Sequence, residues 1–171
     1  MGKQHLEQNK QEKPVSFFGR ALFTGFIGGV IWSFFGAVAS YFNFASVSPA
    51  TFILRSWLDA DWTGGWRGEL LSIFIIGLLS ILTAVIFYGL GKNMDGGIWP
   101  SAIFGLALWF VIFYLFQPIF PNIPHMTELN SNTVVTTICL YLLYGTFIGY
   151  SIAYNYQDIQ KADGNNYSKN R

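Results

Sequence analysis

Charge is scarce in this 171-residue chain, and it is missing altogether from its long apolar runs. Asp, Glu, Lys and Arg make up 11% of the residues, whereas a soluble domain carries about a quarter. The formal net charge is only +1, which leaves no basic field for a nucleic-acid partner. A single cysteine, Cys139, excludes an internal disulfide and reads as a small apolar residue on a buried helix. The histidines are His5 and His125, and no His, Cys, Asp or Glu cluster has ligand spacing, so neither a metal nor a cofactor is expected. Asp59 and Asp61, with Glu69 further on, read as a solvated acidic turn. No Ser-His-Asp or Cys-His arrangement and no phosphate loop stands out. No catalytic residue is assigned, and the chain is not expected to be an enzyme. Internal repeats and low-complexity tracts are also missing.

What remains is apolar and aromatic: hydrophobic residues are 52% of the chain and aromatics 19%. Four uncharged stretches run from about Ala21 to Phe42, Leu70 to Leu90, Ile98 to Gln117 and Thr133 to Tyr154. Each is about 20 residues, the length of a helix that crosses a ~30 Å hydrocarbon core. The fold class is therefore an all-α membrane protein with four transmembrane helices. Its transmembrane domain covers residues 17–156, between polar tails at 1–16 and 157–171. The leader is too polar to fold alone, and disorder is expected there and beyond Asp163. The first stretch is 22 residues long, longer than the roughly 7–15 of a signal-peptide core, and reads as a retained span despite Ala37-Val38-Ala39.

The connections carry punctuation. Gly89-Leu90-Gly91 ends the second span, and the short turn to residue 98 predicts a hairpin of the second and third helices. Pro100 suits the first turn of the third helix, and Pro118 closes it. Asn132-Thr133 are the expected caps of the fourth. Residues 49–60 are too short to span and too apolar for free solution. They predict a short interfacial helix, with a tight folded cap as the alternative.

Basic residues decide orientation. Lys3, Lys10, Lys13, Arg20, Lys92, Lys161, Lys169 and Arg171 share one side, against Arg55 and Arg67 on the other. By the positive-inside rule, both termini are cytoplasmic. The localisation expected is the bacterial cell membrane, multi-pass.

Two groups of residues stand out. Ala21, Gly25, Gly29, Ser33 and Ala37 recur every four residues in the first span, with Gly145 and Gly149 in the fourth. Small residues at this spacing let a second backbone approach closely, within the chain or in a homo-oligomer. The second group is an external rim of Arg55, Trp57, Trp62, Trp66, Arg67 and Glu69, with His125 and Glu128 on the other external loop. Tryptophan favours the headgroup layer, and guanidinium suits phosphate. The rim could contact lipid or a partner, or it could be an interfacial anchor with Arg67 and Glu69 as charge partners.

Trp66-Arg67-Gly68-Glu69, Gly96-Gly97-Ile98-Trp99-Pro100 and Pro118-Ile119-Phe120-Pro121, with the glycine-rich first span, resemble the YqhR-like family of small conserved membrane proteins of Bacillus-type bacteria. The resemblance implies a four-span protein of the cell membrane and transfers no catalytic residues. The function expected is a small scaffold or accessory protein that binds membrane lipids, a membrane protein partner or a second copy. The alternative is a subunit of an oligomeric transporter or channel with a neutral polar path, since no ionisable residue lies within a span.

Overall fold

The structure, a computed structural model, describes residues 17–58, 60–91 and 98–169, with side chains for 19–58, 60–89 and 98–152. The leader 1–16, Asp59 and the turn at 92–97 lie outside the described residues. The elements are α1 (Phe17–Tyr41), α2 (Pro49–Phe52), α3 (Trp66–Gly91), α4 (Ile98–Phe110) and α5 (Ser131–Lys169). Short 3-10 turns occupy Asp61–Gly64 and Gln117–Ile119, and α4 continues into a π-helical turn at Val111–Leu115. Four helices are long and apolar enough to cross a membrane, over Gly19–Tyr41, Trp66–Gly89, Ile98–Leu115 and Ser131–Ile152. Only 22% to 33% of each span's apolar window is buried inside the protein, and each helix carries exposed apolar side chains, among them Phe23, Leu82, Ile103 and Val135.

Helix pairing follows the small residues. A Cβ added at Gly25 would lie 2.6 Å from Ala84 Cβ and 3.0 Å from the Ser80 carbonyl oxygen. One added at Gly29 would collide with Ser80 Cβ and come within 3.0 Å of Gly77 Cα. Gly25 and Gly29 of α1 therefore seat on Gly77, Ser80 and Ala84 of α3, and the register makes the pair antiparallel. The second crossing is built alike. Gly105 of α4 lies against the Tyr141 carbonyl and Gly145 of α5, and Gly149 lies against Ser101. Between hydrocarbon-solvated helices, such close backbone approach supplies van der Waals packing that the hydrophobic effect does not.

Gly28 turns toward Phe147 and Ile148, so α1 also meets α5 at the bundle centre. The core there is Ala21, Ala84, Phe87, Tyr144, Ile148 and Ile152. The expected hairpin of the second and third spans takes a different form. α3 packs chiefly on α1, and α4 on α5. α3 and α4 touch through Phe87 and Phe104, whose rings are 4.8 Å apart. A short turn fixes only where two chain ends meet; the small-residue faces decide which helices lie together along their length.

Helix ends show how local chemistry sets the boundaries. Asn43 adopts φ 59° just past α1, a left-handed conformation that asparagine tolerates well. The Phe44 N–H then returns to the Ala39 carbonyl at 2.8 Å. Ser48 caps α2 by accepting the Thr51 N–H, with Pro49 in the first turn. α5 is capped by Asn130, two residues before the expected Asn132: its Oδ1 accepts the Thr133 N–H at 2.9 Å. α5 then runs unbroken to Lys169. The polar stretch after 156 continues the spanning helix, and so do residues 164–169, where disorder was expected. Propagation adds one hydrogen bond per residue once a nucleus exists.

Candidate functional site

The α1–α3 and α4–α5 connections fold together into a cap over one end of the bundle. Helix extends only over Pro49–Phe52, where the sequence predicted it across 49–60, and turns follow. Proline at the first position starts the helix, and Ile53 is already its C-cap. Ala50 is fully buried, and Pro49 and Leu54 are buried too. Phe52 packs on Phe113 and Phe120, with ring centroids 5.8 and 4.9 Å away. Val47, Trp109, Phe113, Ile123 and Leu129 form the buried centre. Trp109 and Phe113 belong to the third span, so the cap and the end of the bundle share one core. Val47, Ile123 and Leu129 from the connections each contribute about 1.5–3 kcal/mol where their burial removes them from water.

Hydroxyls tie the cap to the bundle. Ser46 N–H donates to Thr133 Oγ1 at 2.8 Å, and the Ser46 hydroxyl lies 3.1 Å from the same oxygen. One turn further along α5, Thr137 Oγ1 donates to the Thr133 carbonyl at 2.7 Å and accepts the Trp109 indole N–H at 2.9 Å. Deeper still, the Tyr144 and Ser80 hydroxyls share a buried hydrogen bond, and Ser80 Oγ donates to the Gly25 carbonyl at 2.7 Å. Thr133, Thr137, Tyr141 and Tyr144 thus form a polar stripe down α5. At each described link the partner is protein. Among the described residues, Trp32 Nε1 and Ser72 Oγ are the buried side-chain atoms without a partner.

The rim residues do not act as one cluster. The Arg55 guanidinium donates to the Gly64 carbonyl at 3.2 Å, and the Asn122 side-chain amide donates to the Arg55 carbonyl. The first bond closes the α1–α3 connection on itself, and the second ties that connection to the α4–α5 connection. Glu69 Oε2 accepts the Ala50 N–H at 3.2 Å, so this carboxylate holds α2 rather than pairing with Arg67. The Arg67 guanidinium instead lies 5.7 Å from the Trp66 ring centroid. Trp66, Arg67, Gly68 and Glu69 form the first turn of α3. Gly68 has no room for a side chain, because the Thr63 backbone crosses directly over it. Trp57 and Trp66 are 67% and 69% exposed and Trp62 is 44% exposed, so three indoles stand on the cap's outside.

Among the strip residues, Ala21 is 3% exposed in the core, and Gly25 and Gly29 face α3. Ser33 is buried and bonds its own helix at the Gly29 carbonyl, 2.6 Å away. Ala37 is half-buried. Cys139, expected on a buried face, is exposed on α5. It lies two residues past Thr137, on the side of the helix away from the stripe.

Three features escaped the sequence analysis. The complementary faces Gly77, Ser80, Ala84 and Ser101, Gly105 are one. The α5 hydroxyl stripe is another. The third is a cleft of about 210 Å³ lined by Phe113, Tyr114, Gln117, His125, Met126 and Thr127. It lies where the π turn, closed by Phe116 N–H on the Val111 carbonyl at 2.9 Å, meets the proline-rich loop. No group of three His, Cys, Asp or Glu that could hold a metal occurs among the described residues.

A family model for "Conserved membrane protein YqhR" matches residues 2–167. A Bacillus subtilis (strain 168) relative, described as "Uncharacterized protein YqhR", is 44% identical over 150 residues, covering 88% of this chain and 83% of the relative. No solved structure matches the chain.

Proposed function

Because the chain belongs to the YqhR family of conserved multi-pass membrane proteins, we propose a function from its own geometry: a small accessory protein that presents a folded cap at the membrane surface to lipid or to a membrane protein partner. The observation that carries this reading is the division of labour among the rim residues. Arg55 and Glu69 are consumed in building the cap, while Trp66 and Arg67 are exposed and lie beside each other. An exposed indole beside an exposed guanidinium suits the boundary between headgroup phosphate and acyl chain.

In this reading both termini are cytoplasmic and the cap lies on the outer face of the cell membrane, a topology that the asymmetry of the basic residues supports. The alternative, an oligomeric transporter or channel subunit with a neutral path, would use the α5 stripe. Its Thr133, Thr137 and Tyr144 hydroxyls are bonded to protein, and the small-residue crossings on either side are closed. The interior therefore favours the accessory role.

Retention of phosphatidylglycerol by the purified protein, read by native mass spectrometry, tests the proposal. Arg67→Ala should reduce retention several-fold while membrane insertion is unchanged, because an edge arginine contributes little to insertion. Equal retention by both proteins would remove Arg67 from any lipid role.

A further inference from the structure

We propose that the cleft between the π turn of α4 and the proline-rich loop is a binding site for a neutral, hydroxyl-rich headgroup, a hexosyl ring carried on a diacylglycerol. Its residues differ from those of the Trp66–Arg67 rim, so it extends the previous reading and can stand or fall separately.

The lining sets the chemistry. Gln117, which lines the cleft, spends its Nε2 on the Ile123 carbonyl at 3.2 Å, which fixes the amide and leaves Oε1 as its acceptor. The Tyr114 hydroxyl, the Thr127 hydroxyl and the His125 ring have no hydrogen-bond partner among the described residues. These groups both donate and accept, as a polyol does. Neither Lys nor Arg lines the cleft, and Glu128 adjoins Thr127 in the chain. Arg55, whose backbone is held to Asn122, turns its guanidinium to Gly64 instead. A phosphate would find no Lys or Arg countercharge among the lining residues, whereas a neutral polyol needs none.

Position supplies the second argument. The π turn adds a residue to the last turn of α4, just where the cleft opens. Phe113 is thereby buried at 3% exposure, while Tyr114 and Leu115 stand 61% exposed on the outside of the span. Tyr114 stacks on Phe110, with centroids 4.9 Å apart and planes at 19°. The result is an aromatic wall on the lipid side and a polar wall of His125 and Thr127 on the loop side. A headgroup held between them keeps its acyl chains alongside Phe110 and Tyr114. The cleft holds about 210 Å³ and is partly open, so it would take a headgroup ring while the rest of the lipid stays outside it.

The test uses the full chain in phosphatidylglycerol nanodiscs containing glucosyl diacylglycerol, with retained lipid read by native mass spectrometry. A second arm adds soluble methyl glucoside as competitor. In Arg67→Ala, where the rim no longer holds phosphatidylglycerol, retention of the glucosyl lipid should exceed that of phosphatidylglycerol by roughly tenfold. Thr127→Val and His125→Leu should each lower that retention by roughly threefold to tenfold, the loss of one or two hydrogen bonds. Arg67→Ala should leave it unchanged. Both cleft variants alter exposed loop side chains, and a wild-type melting temperature confirms that each is folded; either one suffices. Competition by methyl glucoside would show that the site reads the sugar from either source. Retention of the lipid without competition would assign the source to the membrane. Preference for phosphatidylglycerol that persists in Arg67→Ala, or equal retention of the glucosyl lipid by wild type and both cleft variants, would overturn the proposal.

Discussion

Substitution at Gly29 tests the helix pairing most sharply, because the structure supplies its own control at Gly89. An alanine Cβ at Gly29 would meet Ser80 Cβ at a collision distance, with Ser80 Oγ at 2.9 Å and Gly77 Cα at 3.0 Å. The last of these is backbone, so relief requires α1 and α3 to separate. Separation would also stretch the Ser80 bond to the Gly25 carbonyl. Overpacking of this kind costs about 1–3 kcal/mol. Gly29→Ile, which adds a branched side chain at the same crossing, should sit at or above the top of that range. At Gly89 an added Cβ finds nothing within 4 Å. Gly89→Ala should instead stabilise α3 by up to about 1 kcal/mol through helix propensity.

Both variants remove one glycine from the same bundle, so their difference isolates the crossing. Reversible unfolding in mixed detergent micelles reads both. The expected order of stability is Gly89→Ala, wild type, Gly29→Ala, Gly29→Ile. Equal midpoints for Gly29→Ala and Gly89→Ala would refute the packing of α1 on α3.

Further predictions follow from the hydroxyls and the ends. Thr137→Val leaves the buried Trp109 indole N–H without its acceptor and should cost about 1–3 kcal/mol in the same unfolding assay, whereas Thr137→Ser should restore most of it. Asn130→Ala should cost about 1 kcal/mol, and Asn132→Ala far less, if Asn130 alone caps α5. Reporter fusions at residues 16, 95 and 165 should give cytoplasmic signals, and fusions at 60 and 125 external ones; an external signal at 165 would contradict the four-span topology.

The spans were legible because each uncharged run is about 20 residues, a length with few other uses. The strip on α1 was legible because its small residues recur strictly every four. Its partner on α3 was not, since Gly77, Ser80 and Ala84 mix three- and four-residue spacings among leucines and isoleucines. The cap of α5 was blurred by four adjacent capping-type residues, Asn130, Ser131, Asn132 and Thr133, among which only geometry chooses. The cap's core depends on Val47 and Phe52 meeting Phe113, Ile123 and Leu129. These segments are more than fifty residues apart in sequence, and no local periodicity announces such a pairing. The π turn has no marker either, for Val111–Leu115 contains neither glycine nor proline.

The central claim is that the cap's outward indoles stand at the membrane surface. The most direct measurement is depth-resolved quenching of Trp66 in a variant whose other five tryptophans are phenylalanine, reconstituted in vesicles with brominated or spin-labelled lipids. The account predicts strongest quenching by labels at headgroup and upper-acyl depth, and weak quenching by iodide. Quenching by iodide alone would place the cap in solvent and contradict the account.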